Sequence, residues 1–390
     1  MKIIADQNIY QVSEAFSDMG TVVTAPGYKI DRDMLMDADM LLTRSATQVN
    51  RELLEGTPVK FVASATIGVD HVDTEFLREK FIGFAHAPGS NAESVAEYVT
   101  AALLEICVKS GRAPSDMTLG IIGAGNVGSR VCHRARSLGM ECVLNDPPKK
   151  ALTGNEIYRS LDETFERSDI ISIHVPLIEN GENPTYHIVN SEFVSRMKQG
   201  AAFINTSRGK VLDEDSFRTV CSRLGIIVFD VFENEPAISL ETLRLADIAT
   251  PHIAGHSLDG KLRGTDMIYA SANAFFFKRG SWDSEKCDLH LQKRTIDLSK
   301  SKAAVYDGVK RAYSIMKDDE KLRHIYSVPK EEQMKFFEQL RSGYAKRLEF
   351  THFKLLVGEH QSKEAAVLKE LRFETEIKTT AAPDSAAKAL

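Results

Sequence analysis

The chain has 390 residues, 43% of them hydrophobic, and a formal net charge of −6. That length accommodates about two or three domains with sizeable cores, and acids and bases are interspersed, so no basic run marks a nucleic-acid or membrane surface. The five cysteines (Cys107, Cys132, Cys142, Cys221 and Cys287) form no Cys-x-x-Cys pair. The N-terminus turns polar too soon for a signal peptide, and no apolar run approaches the roughly 18 residues of a membrane span. The expectation is a cytoplasmic protein with reduced thiols.

The chain opens with strands expected at Lys2–Ala5, Met40–Thr43, Lys60–Ser64 and Phe81–His86, with helical patterns near Gln11–Met19 and Arg51–Leu54. Such alternation implies a parallel sheet. Residues Ala92–Ser110 carry Val95, Ala96, Val99, Ala102, Leu103 and Ile106 at helical spacing, after the cap types Ser90 and Asn91. Gly111 and Pro114 then break the pattern.

The next segment is the most informative. Thr118-Leu-Gly-Ile-Ile leads into Gly123-Ala-Gly125-Asn126-Val127-Gly128, a helical run to Gly139, and a strand ending at Asp146. A dinucleotide needs this arrangement. Gly123 permits the turn, Gly125 lets backbone approach the pyrophosphate, and Gly128 lets helix sit close on strand. The helix N-terminus offers free N–H groups to phosphate. Asp146, 18 residues beyond Gly128, suits a carboxylate that accepts from the adenosine ribose, which favours NAD over NADP. Lys149 and Lys150 follow and soften that preference.

Further strands are expected at Ile170–Val175, Ala201–Thr206, Ile226–Val231 and Asp247–Thr250. A polar residue follows each of the last three: Arg208, Glu235 and His252. Ligands of open α/β sheets bind at carboxyl ends of strands. These types fit oxidation of a 2-hydroxy acid, in which a base takes the hydroxyl proton while a hydride leaves the same carbon. An imidazole is the side chain suited to a base at neutral pH, and His252 would take that role. Glu235 would hold its other ring nitrogen, and Arg208 offers a fork to the substrate carboxylate.

A long helix is expected over Leu258–Lys278. Beyond residue 285 the texture changes to an α+β unit with strands at Arg294–Leu298 and Phe350–Val357 and helices at Ser301–Met316, Pro329–Leu340 and Lys363–Leu371. This unit has no obvious polar site and reads as a packing or interface module. Residues 381–390 read as a frayed tail.

The glycine fingerprint and the motifs around Arg208, Glu235 and His252 resemble the D-isomer-specific 2-hydroxyacid dehydrogenases. So do Arg44-Ser45-Ala-Thr47, Ala65-Thr66-Ile-Gly-Val-Asp70-His71-Val-Asp73, Ala87-Pro88-Gly89, Asn145-Asp146-Pro147-Pro148 and Thr250-Pro-His-Ile-Ala-Gly255. The Asp-Pro-Pro and the C-terminal unit resemble one branch, which oxidises 4-phosphoerythronate. The resemblance implies an α/β fold of two Rossmann-like parallel-sheet domains plus a C-terminal α+β dimerisation domain. Substrate-domain residues 1–95 would precede an NAD-binding domain at 96–255. A returning helix at 256–284 and the C-terminal domain at 285–380 would complete a homodimer. It further implies NAD contacts from Asn126, Val127, Asp146, Val175, Thr206, Ser207, Asp230 and Gly255, and substrate contacts from Ser45, Thr66 and His256.

Two positions depart from the family pattern: His256 replaces an expected tyrosine, and Val175 an expected threonine. Asp70-His71-Val-Asp73 reads as a helix opening, not a metal site, and the reaction needs no metal. The alternatives are a dehydrogenase of another phosphorylated acid such as 3-phosphoglycerate, or an NAD-sensing binding protein.

Overall fold

A computed structural model of the chain describes residues 1–378. The expected tail at 381–390, and the last two residues of the expected C-terminal unit, lie outside the described residues. Among the described residues no helix is long and apolar enough to cross a membrane.

The first sheet contains β1 (Lys2–Asp6), β2 (Thr21–Ala25), β3 (Met40–Thr43), β4 (Phe61–Ser64) and β5 (Gly83–His86), in the order β2-β1-β3-β4-β5. Every pairing is parallel. The central strands Met-Leu-Leu-Thr and Phe-Val-Ala-Ser are buried throughout, as expected where helices cover both faces. β2 was not expected from sequence. It is a largely exposed edge strand, so no apolar alternation announces it.

The second sheet contains β6 (Thr118–Ile122), β7 (Glu141–Asn145), β8 (Ile170–Ile173), β9 (Ala202–Asn205), β10 (Ile227–Phe229) and β11 (Ile248–Ala249), ordered β11-β10-β9-β8-β6-β7. It too is parallel throughout. The strand order reverses between β6 and β8 here, and between β1 and β3 in the first sheet. Each reversal opens a crevice at the carboxyl ends of the strands.

The helix Ala92–Ser110 runs between these bodies and is buried on nearly all sides from Ala92 to Cys107. Asn91 precedes it without a side-chain capping bond, contrary to expectation, and Gly111 ends it in the left-handed region at φ 67°. The helix Leu258–Phe275 packs back on the first sheet. Its Ile268, Tyr269 and Ala272 share a core with Ile3, Phe16 and Phe61, and the Tyr269 hydroxyl donates to Asp18 at 2.6 Å.

The C-terminal residues form a third parallel sheet, β12 (Arg294–Asp297), β13 (Phe353–Gly358) and β14 (Glu374–Lys378), ordered β12-β13-β14. β14 escaped the sequence reading for the same reason as β2: it is an exposed edge. The helix expected over Ser301–Met316 is two helices, Ala304–Ala312 and Ile315–Arg323. The break at Tyr313 has a tertiary cause. Its ring is buried, with the Arg347 guanidinium 4.3 Å from its centroid, and its hydroxyl bonds Asp318 at 3.2 Å.

This unit does not stand apart. Leu355, Leu368 and Phe373 belong to one continuous core with Val99, Leu103 and Ile121. Buried polar bonds reinforce the join. Glu97 accepts from the Phe350 amide at 2.7 Å, Ser94 and Ser257 donate to Glu349 at 2.9 Å each, and Asp259 pairs with His352 at 2.6 Å. Burial, with the nearby Glu349 charge, pushes Glu97 up to about 8 despite Arg134 and Arg347. Phe337 on the helix Gln333–Ser342 meets Phe232 edge to face, ring centroids 6.3 Å apart, a contact worth about 0.5–1.5 kcal/mol beyond its burial.

Candidate active site

A cleft of about 550 Å³ lies between the carboxyl ends of the first two sheets, and Arg208 and His252 both line it. Arg208 lies in the loop after β9, and His252 follows β11. Glu235, after β10, reaches the cleft through His252: its carboxylate lies 2.6 Å from His252 Nδ1. The three side chains therefore converge as the strand order requires.

The His252 loop is held under constraint. His252 adopts φ 56°, a left-handed conformation that costs a non-glycine residue roughly 1–2 kcal/mol. Asp230 offsets this strain. Its backbone carbonyl accepts from the His252 amide at 2.8 Å, and its carboxylate accepts from the Ile253 and Ala254 amides and the Thr250 hydroxyl at 2.8, 2.9 and 2.6 Å. Asp230 is 1% exposed. Burial raises its pKa to about 6, against the lowering influence of His252 and of these donors.

Glu235 accepts a second bond, from the Phe232 amide at 2.9 Å. Burial pushes its pKa up, but the His252 charge and hydrogen bond and the Phe232 amide outweigh this, and the net position is below the usual carboxylate range. An ionised Glu235 on Nδ1 fixes that nitrogen as the proton-bearing one and leaves Nε2 as the acceptor.

The glycine turn has the shape of a dinucleotide cradle. Gly123 sits at φ 89°, and a β-carbon there would lie 2.7 Å from the His174 carbonyl oxygen. One on Gly128 would lie 2.0 Å from the Gly123 carbonyl oxygen, so helix and strand approach as only glycine allows. Gly125 has open space where its β-carbon would be, and no side chain caps the helix Asn126–Ser137 that begins there. Its free N–H groups face the cleft that Gly125, Asn126 and Val127 line. Asp146 closes β7 and accepts from the Ala124 and Lys149 amides at 2.9 and 3.0 Å. Lys149 folds back to donate to the Ala124 carbonyl at 2.6 Å. These residues fit NAD: the open space at Gly125 would admit the pyrophosphate, and the Asp146 carboxylate would accept from the ribose.

Val175, Thr206, Ser207, Asp230 and Gly255 line the same cleft. Ser207 is tied to the Asn205 side chain at 2.8 Å, and Thr206 lies 3.4 Å from His174 Nδ1. Burial lowers His174 to about 3, so it stays neutral. Among the expected substrate contacts, Ser45 is exposed at the cleft. Thr66 also lines it but turns its hydroxyl to Ser64 at 2.7 Å and the Gly68 carbonyl at 2.8 Å. His256 lines the cleft with Nδ1 buried and unbonded. Asp73 caps a helix by accepting from the Phe76 amide at 2.9 Å, and His71 Nε2 lies 2.9 Å from Ser64.

Four charged residues of this cleft received no site role from sequence: Arg44 and Asp70, noted only as parts of motifs, and Lys261 and Arg341. Arg341 corrects the view of the C-terminal unit as free of polar function. It comes from the helix Gln333–Ser342, and only its spacing from Phe337 on one helical face signalled a direction.

The NAD-binding domain model of the D-isomer-specific 2-hydroxyacid dehydrogenases matches residues 99–254. An erythronate-4-phosphate dehydrogenase of Salinibacter ruber is 39% identical, the match covering 90% of this chain and 92% of that protein. One from Chromohalobacter salexigens is 44% identical over 70% of this chain and 72% of its own length. Among solved structures, the D-lactate dehydrogenase of Aquifex aeolicus, complexed with NAD and lactic acid, superposes with a TM-score of 0.60 at 28% identity, covering 71% of this chain and 96% of its own. The likeness to the Salinibacter protein thus extends further along the chain than the likeness to the D-lactate enzyme. The chain belongs to the erythronate-4-phosphate dehydrogenase family, within the D-isomer-specific 2-hydroxyacid dehydrogenases.

Proposed function

We propose that this chain oxidises 4-phospho-D-erythronate to (R)-3-hydroxy-2-oxo-4-phosphooxybutanoate with NAD, a step of pyridoxal 5′-phosphate biosynthesis. The observation that carries this reading is the 2.6 Å pairing of Glu235 with His252 in the cleft that Arg208 and the glycine turn share. The likeness to an erythronate-4-phosphate dehydrogenase over 90% of the chain supports the choice of substrate.

NAD, when bound, supplies the acceptor for the C2 hydride. His252 takes the C2 hydroxyl proton at Nε2, and the ionised Glu235 stabilises the imidazolium that forms. Arg208 binds the substrate carboxylate with its planar fork and polarises the C2 oxygen. Asp230 keeps the His252 loop in its strained conformation, so little reorganisation is left for the reaction.

The same reading covers three finer points. Residues 1–95 and 256–284 form the substrate domain, and 96–255 the NAD domain. The C-terminal unit pairs two copies, supported by its open edge strand β14, on which Ile377 is 52% exposed. A cytoplasmic location fits the five cysteines, all unpaired.

The decisive assay mixes protein, NAD and 4-phosphoerythronate and follows absorbance at the NADH band. No NADH, or a greater kcat/KM on 3-phosphoglycerate, would overturn the assignment. Light scattering on Ile377→Lys tests the pairing: wild type should be dimeric and the variant shifted toward monomer, and a monomeric wild type would refute it.

A further inference from the structure

We propose that Arg44, Lys261 and Arg341 form the subsite for the substrate's terminal phosphate, so that the C-terminal unit supplies part of the active site and selects phosphorylated acids. This deepens the reading above and rests on it for the identity of the acid.

The three cations come from three separate stretches of chain. Arg44 follows β3, at the reversal of strand order in the first sheet. Lys261 lies in the first turn of the helix Leu258–Phe275, and Arg341 in the last turn of the helix Gln333–Ser342. All three line the cleft. Surface cations of this protein commonly pair with carboxylates, yet among the described residues none of these three has a carboxylate within ion-pair distance. Arg44 makes one long bond, to the Asn8 carbonyl at 3.4 Å.

Their charges are close enough to disfavour one another. Burial and Arg341 lower Arg44 against the attraction of Asp6. Burial and Arg44 lower Lys261. Half-buried cations that repel each other with no carboxylate in direct contact are costly unless an anion joins them. A phosphate dianion meets the need, because two guanidinium forks and an ammonium together supply its oxygens with donors.

His256 marks the path from chemistry to phosphate. After burial, the charges that depress its pKa are those of Arg44, Arg341, Lys261 and His252, and it lines the same cleft as all four. Its buried Nδ1 has no partner. In the expected substrate, C3 and C4 separate the reacting C2 from the phosphate ester, so the two ends need separate pockets within one cleft.

The position of Arg341 is built, not incidental. Phe337 anchors its helix on Phe232, three residues before Glu235. Arg341 is one turn further on the same face. The segment that orients the base thus also seats the helix that brings the third cation.

The test compares kcat/KM for 4-phosphoerythronate and for unphosphorylated erythronate in wild type, Arg341→Gln and Lys261→Gln. The ratio of the two should fall by about ten- to a hundredfold in each variant, the worth of a hydrogen bond to a charged group, with the loss in KM of the phosphorylated acid. A misfolded variant loses both activities together; an unchanged ratio in variants that keep their turnover of unphosphorylated erythronate overturns the proposal. Calorimetric titration of inorganic phosphate into the protein–NAD complex gives a second readout. Binding should appear in wild type and weaken in Arg341→Gln, and equal or absent binding in both overturns the subsite. If wild type fails to oxidise 4-phosphoerythronate, the functional reading fails alone, and the phosphate titration still decides the subsite.

Discussion

Asp70 and Arg208, 138 residues apart in sequence, meet across the cleft with Arg208 Nε 3.3 Å from the Asp70 carboxylate. The Arg208 side chain is 32% exposed and that of Asp70 57%, so the pair adds at most about 1 kcal/mol of stability. Its consequence is orientation: it ties the loop after β4 to the loop after β9.

Gly68 makes room for this arrangement. A β-carbon there would lie 2.1 Å from Arg208 Nη2, the movable end of a long side chain. Gly68→Ala should therefore displace Arg208 without unfolding the chain. We expect an unchanged melting temperature and a kcat/KM lower by about ten- to a hundredfold, the value of a charged hydrogen bond. Arg208→Lys should lose a similar amount, because a point charge does not replace a fork. Full activity in both variants would show that Arg208 has a structural role only.

His252→Asn should lower kcat by about 10²- to 10⁴-fold, since general base catalysis contributes that much, while KM for the acid changes little. Steady-state kinetics at saturating NAD check this. Near-normal turnover would remove His252 from the role of base.

Two glycine substitutions should separate folding from cofactor binding. Gly128→Ala places a β-carbon 2.0 Å from backbone oxygen, so both melting temperature and NAD affinity should fall. Gly125→Ala meets nothing in the protein, so the fold should persist while NAD binding weakens. Thermal melts and NAD titrations of both proteins test the contrast, and unimpaired NAD binding by Gly125→Ala would place the pyrophosphate elsewhere.

His352 and Asp259 predict a pH dependence of stability. The Asp259 hydrogen bond raises His352 above the usual imidazole range, with burial opposing. A raised folded pKa means that this stabilisation is complete below the unfolded value of about 6.5. It is lost as pH rises through the higher folded value. Wild type should therefore lose more stability than His352→Gln between mildly acidic and alkaline pH. Denaturation at a series of pH values measures it, and parallel curves for the two proteins would contradict it.

Much of the site was legible because its signals are local. Gly123, Gly125 and Gly128 report backbone geometry within a few residues, and Arg208, Glu235 and His252 each follow a strand whose apolar run is plain. The long helix Ala92–Ser110 declared itself by period. Other features depended on surroundings that no local pattern encodes. β2 and β14 are exposed edges held by one neighbour each. Tyr313 breaks a helical pattern because its ring and hydroxyl find better partners in Arg347 and Asp318. Arg44, Lys261 and Arg341 look in sequence like ordinary surface cations. Sequence alone thus determined the cofactor cradle and the order of the candidate catalytic types, since both follow from short-range backbone rules. Tertiary structure alone decided which charges share a cleft, because electrostatic proximity depends on packing between segments 80 to 297 residues apart.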